Sequence, residues 1–103
     1  MATKCTLWKV VDEVSQVRCA SGSGVIREEV WQDAAGEVSR YNLAFINHFL
    51  MREDNGRVLG YDNGHGSHHR HFKGTVEPFE YEDFAVLRER FICEVWELRK
   101  ELP

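Results

Sequence analysis

The spacing of apolar residues changes near residue 82, and this change limits the fold more than any other feature of the sequence. From Glu82 onward apolar side chains recur at steps of three and four, which is the spacing of a helix with one buried face. They are Phe84, Leu87, Phe91, Val95, Leu98 and Leu102. Acidic residues lie near the start of this segment and Arg99 and Lys100 near its end, as the helix dipole favours. We therefore predict one long C-terminal helix.

The residues before this point have the composition and spacing of strands. Val25 to Gln32 mixes β-branched and aromatic residues with charges, and Val38 to Asn47 continues the pattern after a turn at Asp33–Gly36. The second strand has one apolar face, made of Tyr41, Leu43 and Phe45. Leu7 to Cys19 fits either a helical stripe or a strand. We favour a strand, paired with Val25–Gln32 across a turn at Ser21–Gly24.

Asn55-Gly56 is the strongest local signal, because this pair suits a type I′ turn with two positive φ angles. It predicts a hairpin between His48–Arg52 and Arg57–Tyr61. His69 to Lys73 is a further short strand candidate before Gly74. The predicted fold is α+β, with an antiparallel sheet of about five strands and the C-terminal helix packed on it. Residues 1–103 are expected to form one domain.

Composition limits the class of protein. The chain is 43% hydrophobic and 29% charged, which is typical of a folded globular protein, and no apolar run approaches the length of a membrane span. Met1 to Cys5 shows no signal-peptide core. Cys5, Cys19 and Cys93 fit neither a disulfide framework nor a CxxC metal pair. We therefore expect reduced cysteines, a cytoplasmic location and no membrane partner.

Histidine is concentrated in one segment, Tyr61 to His71, which contains four of the five histidines of the chain. The four are His65, His68, His69 and His71. The net charge of the chain is −4, which does not indicate a general nucleic-acid binder. Residues 40–76, however, carry five basic and three acidic side chains, a net +2. An anionic ligand would favour this middle region.

The spacing within the segment indicates acid–base chemistry. On a strand, His69 and His71 share one face, while His68 and Arg70 point the other way. Two neighbouring imidazoles can act as general acid and general base near neutral pH. Arg70 or Lys73 could stabilise charge on a phosphate, and Asp62 could orient an imidazole. Metal-free cleavage of RNA needs these groups, so we predict catalytic roles for Asp62, His69, Arg70 and His71.

Two other functions use the same residues. Three nitrogens for Zn²⁺ or another divalent metal would come from His69 and His71 together with His65 or His68. Asp62 would be a fourth ligand or would hydrogen-bond to one of the ligating histidines. The chain would then be a metal-dependent enzyme. Alternatively, the histidines are solvated or bonded to backbone, and the chain is a binding module without catalysis.

Three stretches of the sequence resemble the TumE-like family of toxin–antitoxin toxins. They are Arg40–His48, Asp54–Asn63 and His65–His71, and the resemblance spans about residues 25–103. Its most specific part is Tyr61-Asp62-Asn63 followed by His69-Arg70-His71, the positions of the characteristic motif of the family. His65 and His68 depart from many members.

The resemblance implies a toxin encoded beside a helix-turn-helix antitoxin that neutralises it. The residues, and not the resemblance, predict an endoribonuclease that acts on RNA without an obligatory cofactor. Arg57, Tyr61, Asn63 and Lys73 are then the predicted substrate-binding residues. We expect the antitoxin to cover the Tyr61–His71 face. The oligomeric state stays open, a homodimer included.

Overall fold

The computed structural model describes residues 6–103, and within this range it contains six strands and one α-helix. The strands are β1 (Trp8–Cys19), β2 (Gly22–Gln32), β3 (Val38–Ile46), β4 (Arg57–Asp62), β5 (His69–Phe72) and β6 (Thr75–Pro78). They form one antiparallel sheet in sequence order, and α1 (Phe84–Leu98) packs across it. The predicted α+β class with a C-terminal helix is confirmed, and the sheet has one strand more than expected.

The first hairpin confirms that the segment Leu7–Cys19 is a strand, which begins at Trp8. Its turn is shorter than predicted, because Cys19 already pairs with Gly22 and the chain reverses at Ala20 and Ser21. Gly24 therefore lies on β2 rather than in the turn. A Cβ atom at Gly24 would come within 2.7 Å of the Phe45 ring, so glycine allows the strand to approach the core here.

The predicted hairpin at Asn55-Gly56 is wrong in its first strand. Asn55 and Gly56 do have positive φ angles, of 54° and 80°, but they lie in a 3₁₀ turn, and residues 47–53 form no strand. The Asn47 side chain explains the difference. Its Oδ1 accepts hydrogen bonds from the backbone N–H groups of Phe49 and Leu50, at 2.9 and 3.3 Å, which turns the chain away from the sheet.

The strand missing from the prediction is β6, which pairs with β5 through a two-residue turn at Lys73-Gly74. Both residues have positive φ, 46° and 86°, as a type I′ turn requires. Lysine is an uncommon residue at the first position of such a turn. The sequence therefore lacked the usual signal for this hairpin.

Helix α1 begins after Asp83, whose side chain caps it by accepting a hydrogen bond from Val86 N at 2.9 Å. Its buried residues are Leu87, Phe91, Val95 and Leu98, all from the predicted stripe. Leu102, the last predicted member, is 70% exposed because the helix ends at Leu98. No helix in the described range is long and apolar enough to cross a membrane.

The sheet has two different faces. The helix face carries the apolar side chains that pack against α1, among them Tyr41, Leu43, Phe45, Leu59 and Tyr61. We call the other side the open face, because no described element covers it. Strand register places two rows of side chains across it. One row runs Asp12, Glu29, Asn42, Asp62, His69, and the next runs Arg27, Ala44, Gly60, His71, Val76.

Of the three cysteines, Cys19 is buried and Cys93 is exposed, and both are free. Cys5 and the N-terminal segment Met1–Cys5 lie outside the described residues.

Candidate active site

The open face carries a groove, which we call the histidine groove, with a volume of about 560 Å³. Its charged and imidazole lining includes Arg40, Arg57, Asp62, His65, His69 and His71. The alternation of β5 places His69 and His71 together on this face, as predicted. Asp62 lies beside them because it pairs with His69 across β4 and β5.

His71 is held on both ring nitrogens. Its Nε2 lies 2.8 Å from Oδ2 of Asp62, and its Nδ1 lies 3.0 Å from a terminal nitrogen of Arg57. A guanidinium group can only donate hydrogen bonds, so Nδ1 of His71 accepts. The imidazole is then neutral, and its proton is on Nε2, which donates to Asp62. Asp62 thus contacts an imidazole, as the sequence suggested, and its role in catalysis stays a prediction.

The Arg57 side chain reaches His71 by passing over Gly60 of the same strand, β4. A Cβ atom at Gly60 would lie 2.7 Å from Cδ of Arg57, so the missing side chain leaves room for the arginine stem. At the other end, Nε and a terminal nitrogen of Arg57 donate to the Asp54 carboxylate, at 2.9 and 3.2 Å. Asp62 lies 3.7 Å from its second terminal nitrogen. The side chain of Arg57 is 22% exposed, so a ligand in the groove can reach it.

The far wall of the groove is held by Glu29. This carboxylate accepts hydrogen bonds from Arg27 at 3.1 Å, Lys9 at 2.8 Å and Asn42 at 3.0 Å. The hydrogen bonds from Arg27 and Lys9 lower the pKa of Glu29 to about 2, against an opposing effect of burial. Glu29 is therefore ionised, but its charge is already balanced by neighbouring cations.

An aromatic side chain completes this wall. The Trp31 ring lies under two cations, with Lys9 Nζ at 5.1 Å and the Arg40 guanidinium at 4.9 Å from its centroid. Sequence reasoning missed Trp31, Arg40 and Asn42 as groove residues. The signal was present for the last two, because Tyr41 and Leu43 face the core and a strand then turns residues 40 and 42 outward.

Arg70 does not join the two histidines. It lies on the helix face, where its guanidinium donates to Tyr61 Oη at 3.0 Å and to the Glu94 carboxylate on α1. Tyr61 is buried on the same face and also donates to Glu94. Burial, together with the hydrogen bond to Glu94, raises the pKa of Tyr61 to about 12. Both residues were predicted to contact substrate, and here they join the sheet to the helix.

Asn63 and Lys73, the other predicted substrate contacts, also lie outside the histidine groove. Asn63 supports the backbone, since it accepts from Tyr41 N at 2.9 Å and donates to the carbonyl of Ser39 at 3.0 Å. Lys73 forms an exposed ion pair with Glu101 at 2.8 Å.

His68 is separated from the other three histidines of the segment. Its ring stacks on Tyr81 with centroids 4.1 Å apart, and its Nδ1 lies 2.7 Å from Tyr41 Oη. Burial, and to a lesser degree His69, lowers the pKa of His68. The predicted three-histidine metal set that includes His68 is thus not assembled. His65, His69 and His71 do line the same groove, but within residues 6–103 no three histidine, cysteine or acidic side chains are grouped to hold a metal ion.

No protein-family model, curated protein or solved structure matches the chain. The resemblance to TumE-like toxins therefore stays a prediction from the residues that carry it. The chemistry of the histidine groove has to be inferred from its own geometry.

Proposed function

We propose that the protein is a toxin of the TumE-like kind that cleaves RNA in the histidine groove without an obligatory metal. The observation that carries this proposal is the arrangement on β4 and β5. Two imidazoles share one open groove with a carboxylate that orients one of them and with two arginines, Arg40 and Arg57. These are the groups that metal-free transfer of a phosphodiester requires.

In the proposed reaction, His71 is the general base and His69 the general acid. Neutral His71 removes the proton from the 2′-hydroxyl of RNA, and the 2′-oxygen attacks the neighbouring phosphorus. The bond from phosphorus to the 5′-oxygen breaks, and His69 gives that oxygen a proton. The products are a 2′,3′-cyclic phosphate and a free 5′-hydroxyl. Asp62 stabilises the imidazolium that forms at His71.

The arginines of the groove take the role that the sequence suggested for Arg70 and Lys73. Arg57 and Arg40 line the groove, whereas Arg70 is bound to Glu94 on the other side of the sheet. A guanidinium can contact two phosphate oxygens at once, which suits a group whose negative charge grows in the transition state.

The partner in this proposal is a helix-turn-helix antitoxin, and the toxin acts in the cytoplasm. Blocking the histidine groove is the most direct way to silence it. The antitoxin would then place acidic groups opposite Arg40 and Arg57, so association should slow as salt rises.

The test compares histidine variants in a bacterial host and with purified protein. Wild-type protein should slow growth and convert single-stranded RNA into fragments with cyclic phosphate ends, also in the presence of a chelator. His71→Ala and His69→Ala should each lower the cleavage rate by about 100-fold or more. His48→Ala is the matched control, because His48 is exposed and lies outside the histidine groove.

Two outcomes would count against this function. Loss of cleavage on chelation, with stoichiometric metal in untagged protein, would indicate a metal-dependent enzyme. Toxicity that survives both histidine substitutions at equal protein abundance would indicate a binding module that sequesters its target.

A further inference from the structure

We infer that Arg57 is a phosphate-responsive positioning residue, which blocks the proposed general base, His71, until a phosphodiester binds. This inference rests on the proposed function and concerns its control. In the free protein Arg57 covers Nδ1 of His71. Binding of a phosphate group to Arg57 draws the guanidinium away and leaves Nδ1 free to accept a proton.

The first argument is the occupancy of the two ring nitrogens. Nε2 of His71 carries the proton and donates it to Asp62 at 2.8 Å, so Nδ1 holds the lone pair that a general base needs. That lone pair is engaged by Arg57 at 3.0 Å. The contact is incompatible with abstraction of a substrate proton, and Arg57 must move before His71 can act.

The second argument is that the contact is built into the strand. Gly60 pairs with His71 across β4 and β5, directly below the path of the Arg57 stem. Any larger residue would place Cβ 2.7 Å from Cδ of the arginine and push the stem aside. No positive φ requires glycine at position 60, so close approach of Arg57 is the physical reason for this glycine.

The third argument is how Arg57 divides its donors. One terminal nitrogen gives one N–H to Asp54 at 3.2 Å and the other to His71 at 3.0 Å. A neutral imidazole nitrogen is a weaker acceptor for a guanidinium than an anionic phosphate oxygen. An incoming phosphodiester should therefore replace His71 first, while the paired contact with Asp54 keeps the arginine at the groove.

The experiment measures the ring nitrogens of His71 by proton–nitrogen correlation NMR on uniformly labelled protein. The probe is a single-stranded DNA tetranucleotide, which has phosphodiesters but no 2′-hydroxyl and cannot be cleaved by the proposed route. In the free wild type we expect a proton on Nε2 and a hydrogen-bonded acceptor at Nδ1. Saturation with the probe should shift the Nδ1 resonance to that of a free acceptor and leave the Nε2 proton in place.

Three variants separate this inference from a general effect of charge. Gly60→Ala keeps Arg57 but displaces the arginine stem. In this variant without probe, the Nδ1 resonance of His71 should already lie at the position seen in probe-bound wild type. Arg57→Gln should lose the probe-induced shift. Arg27→Gln is the control with the same loss of charge, since Arg27 also lies on the open face but bonds to Glu29. In this variant the probe should shift Nδ1 of His71 as much as in the wild type.

The inference is overturned if the probe fails to bind, or if it binds at saturation without moving Nδ1 of His71. It is also overturned if folded Gly60→Ala retains the wild-type resonance. These readouts involve no RNA cleavage. A wild type that shows the Nδ1 shift but never cleaves RNA would refute the proposed function and leave the response of Arg57 to phosphate standing.

Discussion

Arg57 and Arg70 show that arginine makes different kinds of contact on the two faces of this sheet. Arg57 divides its donors between Asp54 and a neutral imidazole, and it borders a groove. Arg70 binds Tyr61 and the Glu94 carboxylate, with only 15% of its side chain exposed. The first arrangement can exchange a partner for a ligand. The second leaves a poorly solvated charge if its partner is removed.

Glu94→Ala should therefore destabilise the protein by about 2 kcal/mol, because the mostly buried Arg70 and the Tyr61 hydroxyl lose their shared acceptor. Urea unfolding with an unchanged m-value is the measurement. Glu97→Ala on the same helix is the control, since Glu97 is 78% exposed and should change stability by less than about 0.5 kcal/mol. Equal effects of the two substitutions would contradict the role given to Glu94.

His68 should make stability depend on pH. Its pKa is lowered in the folded protein, so the unfolded chain binds protons more readily. The contribution of His68 is present above the usual pKa of 6.5 and is lost as pH falls toward the lowered folded value. Unfolding free energies at pH 7.5 and 5.5 should differ less in His68→Phe than in wild type. His48→Phe, at an exposed site, should keep the wild-type difference.

At the scale of elements, turns decide where the strands end. The β1–β2 turn uses Ala20 and Ser21, and the β5–β6 turn uses Lys73 and Gly74. The longer β3–β4 connection is organised by Asn47, which is 1% exposed and donates to Ser21 Oγ at 2.8 Å. One buried amide thus ties this connection to the first hairpin, which a local turn pattern cannot show.

Lys73→Asn should stabilise the β5–β6 hairpin. Position 73 has a φ of 46°, which costs an ordinary residue roughly 1–2 kcal/mol and asparagine less. The lost ion pair with Glu101 is exposed and offsets little of the gain. The melting temperature should rise, while Lys73→Val should lower it because β-branched residues tolerate positive φ poorly. Equal melting temperatures for the asparagine and valine variants would refute the turn assignment.

At the scale of the whole molecule, the helix leaves one face of the sheet uncovered, and basic side chains line the groove on that face. The chain has a net charge of −4, yet Arg40 and Arg57 both line the histidine groove. Of the acidic groups of the groove, Glu29 is paired with Lys9 and Arg27, whereas Asp62 lies 3.7 Å from Arg57 and accepts a hydrogen bond from neutral His71. Phosphate binding would then depend on a small number of local contacts rather than on the overall field.

Binding of single-stranded DNA should therefore depend only weakly on salt. Two phosphate contacts, at Arg40 and Arg57, predict a slope of about −1.4 for the logarithm of the binding constant against the logarithm of salt concentration. Arg40→Gln should reduce the slope by about 0.7, and Arg27→Gln should leave it unchanged. Fluorescence anisotropy at several salt concentrations measures it. A slope near −5 in the wild type would mean that a larger basic surface binds the strand.

The histidine pair was predictable because it depends only on the period of a strand. His69 and His71 are two residues apart, so one face of the sheet receives both wherever β5 pairs. The same local rule placed Tyr41, Leu43 and Phe45 in the core, and the helical period placed Phe91 and Val95 there. Such features follow from sequence, since neighbours along the chain determine them.

The partners of the site residues were decided by tertiary structure alone. Arg57 meets His71 because two strands pair in one register and Gly60 leaves room between them. Arg70 leaves the site because α1 brings Glu94 onto the opposite face, 24 positions further along the chain. Strand β6 formed although its turn begins with lysine, because pairing with β5 offsets the cost of a positive φ. These contacts join residues that are distant in sequence, so local patterns alone could not reveal them.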